Sequence, residues 1–175
     1  GLVAIAIGIG GIGYYAALLL IVLHSFAKSS LFYQMGQLSR VLHTFKLDEC
    51  GNYLKLYPAG ALVLILGLIS ILAIPPSGLF VAEFLIFKGM VIESRWAVMI
   101  ITIILLCFVI YAMSTRFMHI IFSDPRNYAA PASDKVSPVE TVSQFVLLGM
   151  VIIMCVYQPQ PMVDLITQSI AHLPK

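Results

Sequence analysis

Apolar stretches alternate with short polar or glycine- and proline-rich segments along the whole chain. About 20 apolar residues span a bilayer as a helix, so the longer stretches predict membrane-spanning helices. The predicted segments are Gly1–Ile9, Tyr14–Leu38, Pro58–Ile74, Leu79–Glu93, Ala97–Phe122 and Val139–Tyr157. The fourth is short and follows two prolines and a glycine at Pro75–Gly78, which predicts a discontinuous helix. The pattern therefore predicts an all-α, polytopic transmembrane bundle of about six helices.

Composition supports this class. Of the 175 residues, 61% are hydrophobic and only 10% are charged, against about 25% charged residues in soluble domains. The net charge of +2 is too small to indicate nucleic-acid binding. We expect a bundle over residues 1–157 and a polar, amphipathic tail over 158–175. In that tail, one apolar face would carry Met162, Leu165, Ile166 and Ile170.

The chain opens on apolar residues with no methionine and no charged region, which is not the pattern of a signal peptide. We therefore expect it to be the later part of a longer membrane protein. Two polar loops are predicted, at Ser39–Tyr57 and Ser123–Pro138.

His24 and Lys28 lie inside the second apolar stretch, in LLLIVLHSFAKSSLF. A lysine at the centre of a membrane helix costs roughly 2.5–3.5 kcal/mol, so such residues usually face a bundle interior or a water-filled cavity. Residues four apart share one face of a helix. Histidine titrates near physiological pH, and a desolvated lysine can do so as well. The pair is therefore a candidate for proton transfer, and the alternative is a lysine that pairs with a carboxylate between helices.

Glu83 is the second candidate, because it follows the Pro75–Gly78 break and half-helix ends mark ion sites in many transporters. The alternative is a glutamate stabilised by the nearby helix N-terminus. Lys88, five residues later, is a weaker candidate. Other polar residues in the spans are expected mainly to hydrogen-bond neighbouring helices, and the alternative for some of them is to line a hydrated path: Gln34, Gln37, Ser70, Ser77, Tyr111 and Thr115.

The sequence contains no nucleotide-binding loop, no metal-ligand cluster and no nucleophile triad. We therefore predict no catalytic residue, no metal and no cofactor on this chain.

Two motifs resemble the antiporter-like, proton-translocating membrane subunits of complex I and of its nickel–iron hydrogenase relatives. The family pattern HxxxKxxLF, with a later glycine, is matched by His24, Lys28, Leu31, Phe32 and Gly36. The pattern PPxGxFxxEF is matched by Pro75, Pro76, Gly78, Phe80, Glu83 and Phe84. The final YQPQPMVDLI is similar to the close of hydrogenase-4 F subunits. One departure is Leu20, where some members carry another histidine.

The resemblance implies the second of two inverted helical repeats, in which His24, Lys28 and Glu83 belong to a proton pathway. It implies a multi-pass subunit of the inner, or plasma, membrane that translocates protons while partner subunits perform the redox chemistry. Those partners would be other membrane subunits and a peripheral redox arm of a hydrogenase-4 or NADH dehydrogenase-like complex, within the lipid bilayer. Two alternatives stay open: a sodium–proton antiporter subunit, and a structural membrane anchor for a soluble oxidoreductase.

Overall fold

The computed structural model describes residues 1–44, 46, 50–123 and 136–173. Within these ranges the chain forms eight helices and no strand. They are α1 (Leu2–Ile9), α2 (Ile12–Leu42), α3 (Tyr53–Leu56), α4 (Pro58–Ile71), α5 (Gly78–Ile92), α6 (Trp96–Phe122), α7 (Pro138–Val156) and α8 (Gln160–Ile170). Most of the second predicted polar loop, residues 124–135, and part of the first lie outside these ranges.

The prediction of an all-helical membrane bundle is confirmed. The six predicted apolar segments correspond to α1, α2 and α4 to α7. Three of these helices, α2, α6 and α7, are long and apolar enough to cross a membrane. The two further helices are short: α3 was not predicted, and α8 lies in the predicted tail.

Helix α2 is the centre of the bundle, and α4 and α5 together run antiparallel to it. A Cβ atom at Gly60 in α4 would meet Gln34, near the end of α2, whereas one at Gly89 in α5 would meet Ile12 at its start. The two short helices therefore follow the length of α2 as one broken helix. Glycines on the facing side allow this close approach.

The break between α4 and α5 confirms the predicted discontinuous helix. Helix α4 ends at Ile71, because Ala73 has a left-handed backbone (φ 52°) and Pro75 cannot continue a helix. Helix α5 begins at Gly78, where the Ser77 hydroxyl accepts a hydrogen bond from the Leu79 N–H over 3.2 Å. The same hydroxyl donates to the Ser70 carbonyl oxygen over 3.1 Å. Ser77 therefore stabilises both ends of the break.

Two hydrophobic cores lie on either side of this break. The first core joins α1, the first half of α2, α5, the end of α7 and α8, and includes Leu23, Leu79 and Ile86. The second core joins the later half of α2 with α3, α4 and the end of α6, and includes Tyr53 and Leu64. The break therefore separates two packing regions of one bundle.

Helices α6 and α8 lie at the edge of the bundle. Only Thr102, Ile120 and Ile121 of the 27 residues of α6 are buried. In α8, Ile166 is buried in the first core and Met162 packs against it. Leu165, which belongs to the predicted apolar face of the tail, is 67% exposed.

Candidate functional site

A cavity of about 390 Å³ lies beside the break, where five helices meet. Its polar side chains are His24 and Ser25 from α2 and Glu83 from α5. Its other lining residues are Gly1, Leu2, Val3, Leu20, Ile21, Ile71 and Leu106. The structure thus brings together two residues that the sequence placed in separate candidate sites, with apolar side chains around them.

Two ionisable side chains, His24 and Glu83, line this cavity. Neither His24 nor Glu83 forms a hydrogen bond or an ion pair within the described residues. The Ser25 hydroxyl donates to the Ile21 carbonyl oxygen over 2.8 Å, so its proton is already engaged. The cavity is therefore lined by an imidazole and a carboxyl group, side chains of the kinds that can gain and lose a proton.

Lys28 is not in the cavity. It lies one helical turn from His24 on α2, and its side chain is exposed whereas His24 is half-buried. It lies 14 residues from the nearer end of α2, about 21 Å along the helix axis. A charged group that deep cannot face lipid at low cost, so this face of α2 requires a polar or protein neighbour.

Lys88 also lies away from the cavity. Its side chain is exposed on α5, and it does not line the space that holds Glu83. Among the weaker candidates, Tyr111 is 70% exposed and Thr115 bonds to carbonyl oxygens of its own helix.

A second group of polar residues lies between the later half of α2, α3, α4 and α7, and all of its members except the half-buried Tyr57 are buried. The Gln34 amide donates to the Tyr53 hydroxyl over 2.7 Å, and the Gln37 amide donates to the Thr141 hydroxyl over 3.1 Å. The Tyr57 and Thr141 hydroxyls are 2.6 Å apart. Burial raises the pKa of Tyr53, so its hydroxyl stays neutral. We call Gln34, Gln37, Tyr53, Tyr57, Thr141 and Gln144 the neutral cluster.

Sequence reasoning identified only part of the neutral cluster. Gln34 and Gln37 are predicted mainly to bond neighbouring helices, whereas the pattern does not single out Tyr53, Tyr57, Thr141 or Gln144. The available signal was spacing: Gln34 and Gln37 are three apart on α2, and Thr141 and Gln144 are three apart on α7, which places each pair on one helix face.

Metal binding has no support from the geometry. Within the described ranges, no three His, Cys, Asp or Glu side chains gather closely enough to hold a metal ion.

Apolar helices around a broken helix, with ionisable residues at the break, define a helical membrane protein. The chain belongs to the NADH:quinone oxidoreductase/Mrp antiporter transmembrane family, whose model matches residues 1–110. That match contains both α2 and the broken helix, and it confirms the resemblance to antiporter-like subunits.

A curated relative extends the likeness beyond that range. The chain is 27% identical over 149 residues to the hydrogenase-4 component F homolog of Methylacidiphilum infernorum (isolate V4). The alignment covers 85% of this chain and 31% of the relative. The chain therefore spans about a third of the length of that relative.

Proposed function

We propose that this chain is part of a multi-pass inner-membrane subunit that translocates protons, driven by redox chemistry in partner subunits. The partners are other membrane subunits and a peripheral redox arm of a hydrogenase-4 or NADH dehydrogenase-like complex. The chain itself performs no redox reaction. Its role is to carry protons through the bundle.

The observation that carries the proposal is the shared cavity of His24 and Glu83. A carboxyl group and an imidazole, unpaired and facing one space beside a helix break, are the groups that a proton relay requires. Histidine exchanges protons in the physiological range. Non-helical backbone inside a membrane is tolerated where it lines a cavity or is buried in protein, and here Ile71, the last residue of α4 before the break, lines this cavity.

In the proposed pathway, Lys28 takes part from the exposed side of α2. Its amine lies one helical turn beyond His24 and on the exposed side. A neighbouring segment or water that covers this face would receive a proton from Lys28 or return one to it. Lys88 is the least supported member, because it is exposed on α5 away from both groups.

Cation exchange is a second candidate, because the matched family includes Mrp antiporters by name. A sodium–proton antiporter subunit would use the same carboxyl group to bind a sodium ion and a proton alternately. The two functions differ in their dependence on external sodium. Proton movement measured in reconstituted vesicles with and without sodium decides between them, because redox-driven proton movement continues without sodium whereas sodium–proton exchange stops.

The test replaces Glu83 with glutamine in the full-length protein and reconstitutes the assembled complex in vesicles. Because glutamine keeps the size of the side chain but holds no exchangeable acid proton, we expect redox-driven proton uptake to fall to background while the complex still assembles. The matched control is Glu93→Gln, at the exposed end of the same helix, which should pump as the parent does.

Two outcomes would overturn the proposal. If Glu83→Gln pumps at the parental rate, Glu83 is not on the pathway. If Glu83→Gln and Lys28→Ala both prevent assembly, or both leave pumping unchanged, the chain is a structural anchor for the redox subunits.

A further inference from the structure

The neutral cluster contains buried oxygen atoms for which the protein supplies no partner. Within the described residues, the side-chain oxygens of Gln34, Gln37 and Gln144 accept no hydrogen bond. These three residues are at most 1% exposed. The Ser70 hydroxyl, which is 1% exposed, is also unpartnered. The three glutamine oxygens belong to the neutral cluster, whereas Ser70 lies near the end of α4. Inside a membrane bundle each unpaired polar group costs several kcal/mol, so these atoms require a partner that the described protein does not supply.

The protein cannot satisfy these groups by rearranging the amides. Gln34 and Gln37 already use their NH₂ groups on Tyr53 and Thr141. Turning either amide over would exchange its oxygen and nitrogen but would still leave one end without a partner. A ligand that both donates and accepts hydrogen bonds fits either orientation, and water is that ligand. A cation fits less well, because the cluster offers it no carboxylate.

A cavity gives water a way in. About 360 Å³ of space between α2 and α7 is lined by Gln144 and reaches Arg40 and Glu140 near the end of α2. Arg40 and Glu140 form an ion pair there, and both are substantially exposed. Gln144 therefore lies between a cavity that extends to the end of the bundle and the buried interior of the cluster.

We infer that Gln34, Gln37 and Gln144 bind internal water molecules, and that this hydrated cluster links the Arg40 end of α2 to the His24–Glu83 cavity. The second part rests on the proposed function. Ser30, whose hydroxyl donates to the Gln144 carbonyl oxygen over 3.2 Å, is six residues from His24, about 9 Å along α2. Between Ser30 and His24, the α2 residue Ala27 is buried and apolar.

The experiment uses silver ions, which react with a thiolate only where water allows it to ionise. Gln144→Cys is placed in a cysteine-free version of the full-length protein in its assembled complex. The matched control is Leu148→Cys, one turn along the same helix and equally buried at 1% exposure. We expect Gln144→Cys to react about tenfold faster or more, since thiolate formation governs thiol reactivity. Silver should also stop proton movement in Gln144→Cys alone.

Each result has a definite meaning. Equal rates for the two cysteines, slow or fast, would overturn the inference of a distinct hydrated cluster. If silver reacts fast with Gln144→Cys but proton movement continues, the cluster is hydrated but is not connected to the His24–Glu83 cavity, and the second part of the inference is wrong. If Gln144→Cys fails to assemble, the pair Gln37→Cys and Leu38→Cys, at 0% and 2% exposure, gives the same comparison. The rate at which silver reacts with each cysteine does not depend on pumping. If Glu83→Gln fails to stop transport, the proposed function is therefore refuted separately from the hydrated cluster.

Discussion

The two halves of the bundle differ in how they hold polar groups. Around the first core, the cavity beside the break between α4 and α5 is lined by His24 and Glu83, which are ionisable and unpaired within the described residues. Around the second core, the buried polar side chains are amides and hydroxyls that cannot ionise at neutral pH, and they bond one another across α2, α3 and α7. The first half therefore contains ionisable side chains with few hydrogen bonds. The second half contains many side-chain hydrogen bonds but few side chains that ionise.

This difference indicates what each half contributes to transport and to stability. Groups that gain and lose protons cannot also be permanent hydrogen-bond partners, because each change of charge would break the bonds that hold the helices. Neutral amides and hydroxyls keep their hydrogen-bonding capacity throughout. We therefore expect substitutions in the first half to affect transport, and substitutions in the second half to affect stability first.

The largest expected effect is at Lys28. Lys28→Met should reduce coupled proton movement to background while the complex assembles, because the pathway loses a titratable amine. Lys28→Arg should fail as well, since arginine keeps its proton in proteins. Proton uptake into reconstituted vesicles measures both, with Lys55→Met, at an exposed position of the short α3, as the control. Normal pumping by the arginine variant would make Lys28 a fixed charge, and the mechanism would then be wrong.

The junction between the halves is the next test. A methyl group at Gly78 would lie 2.7 Å from the backbone oxygen of Val151, which cannot move aside easily. Gly78→Ala should therefore lower the free energy of unfolding by about 1–3 kcal/mol, measured on the full-length protein in detergent. Gly67→Ala should cost less, because the new methyl group meets the side chain of Leu31 rather than backbone.

Gly36→Ala serves as the control for this junction, since open space surrounds that position. We expect its unfolding free energy to stay the same or rise slightly, because alanine favours a helix. If Gly78→Ala is as stable as Gly36→Ala, then α5 does not pack against α7 as closely as described.

Within the second half, Tyr53→Phe removes the hydroxyl that accepts from Gln34. Hydrogen bonds between membrane helices contribute about 0.6 kcal/mol on average and up to about 1.7 kcal/mol. We expect a loss near the upper value, because Tyr53 is 0% exposed. Tyr111→Phe, at an exposed position, should change the unfolding free energy little. Equal effects of the two substitutions would show that the neutral cluster does not hold the second half together.

The smallest effect is expected at the end of the bundle. Arg40 and Glu140 pair at an exposed position, and exposed pairs contribute about 0.2–1 kcal/mol. A double-mutant cycle with Arg40→Ala and Glu140→Ala should give a coupling energy in that range, and added salt should reduce it. A coupling energy well above 1 kcal/mol, unaffected by salt, would mean that this pair is buried in the assembled protein.

The sequence predicted the helices well, because length and hydropathy alone decide whether a segment spans a membrane. Their ends were less accurate. Helix α2 continues through Arg40 to Leu42, since polar residues at a helix end remain compatible with helical backbone, and α4 stops at Ile71 because of the conformation of Ala73.

The sequence predicted which residues belong to the candidate site better than it predicted their arrangement in space. Spacing indicated that His24 and Lys28 share a helix face, but it could not reveal that the neighbouring helices cover His24 and leave Lys28 exposed. The common cavity of His24 and Glu83 depends on how α5 packs against α2. Such contacts between distant parts of the chain leave no periodic signal in one sequence.

The broken helix also has a consequence for biosynthesis. Helix α4 has 14 residues and α5 has 15, so each is about 21–23 Å long and too short to cross a hydrocarbon core of about 30 Å alone. Their insertion therefore depends on a helix that is already in the bilayer. Helix α2 precedes them in the chain and contacts both, so the order of synthesis provides the surface on which they enter the membrane.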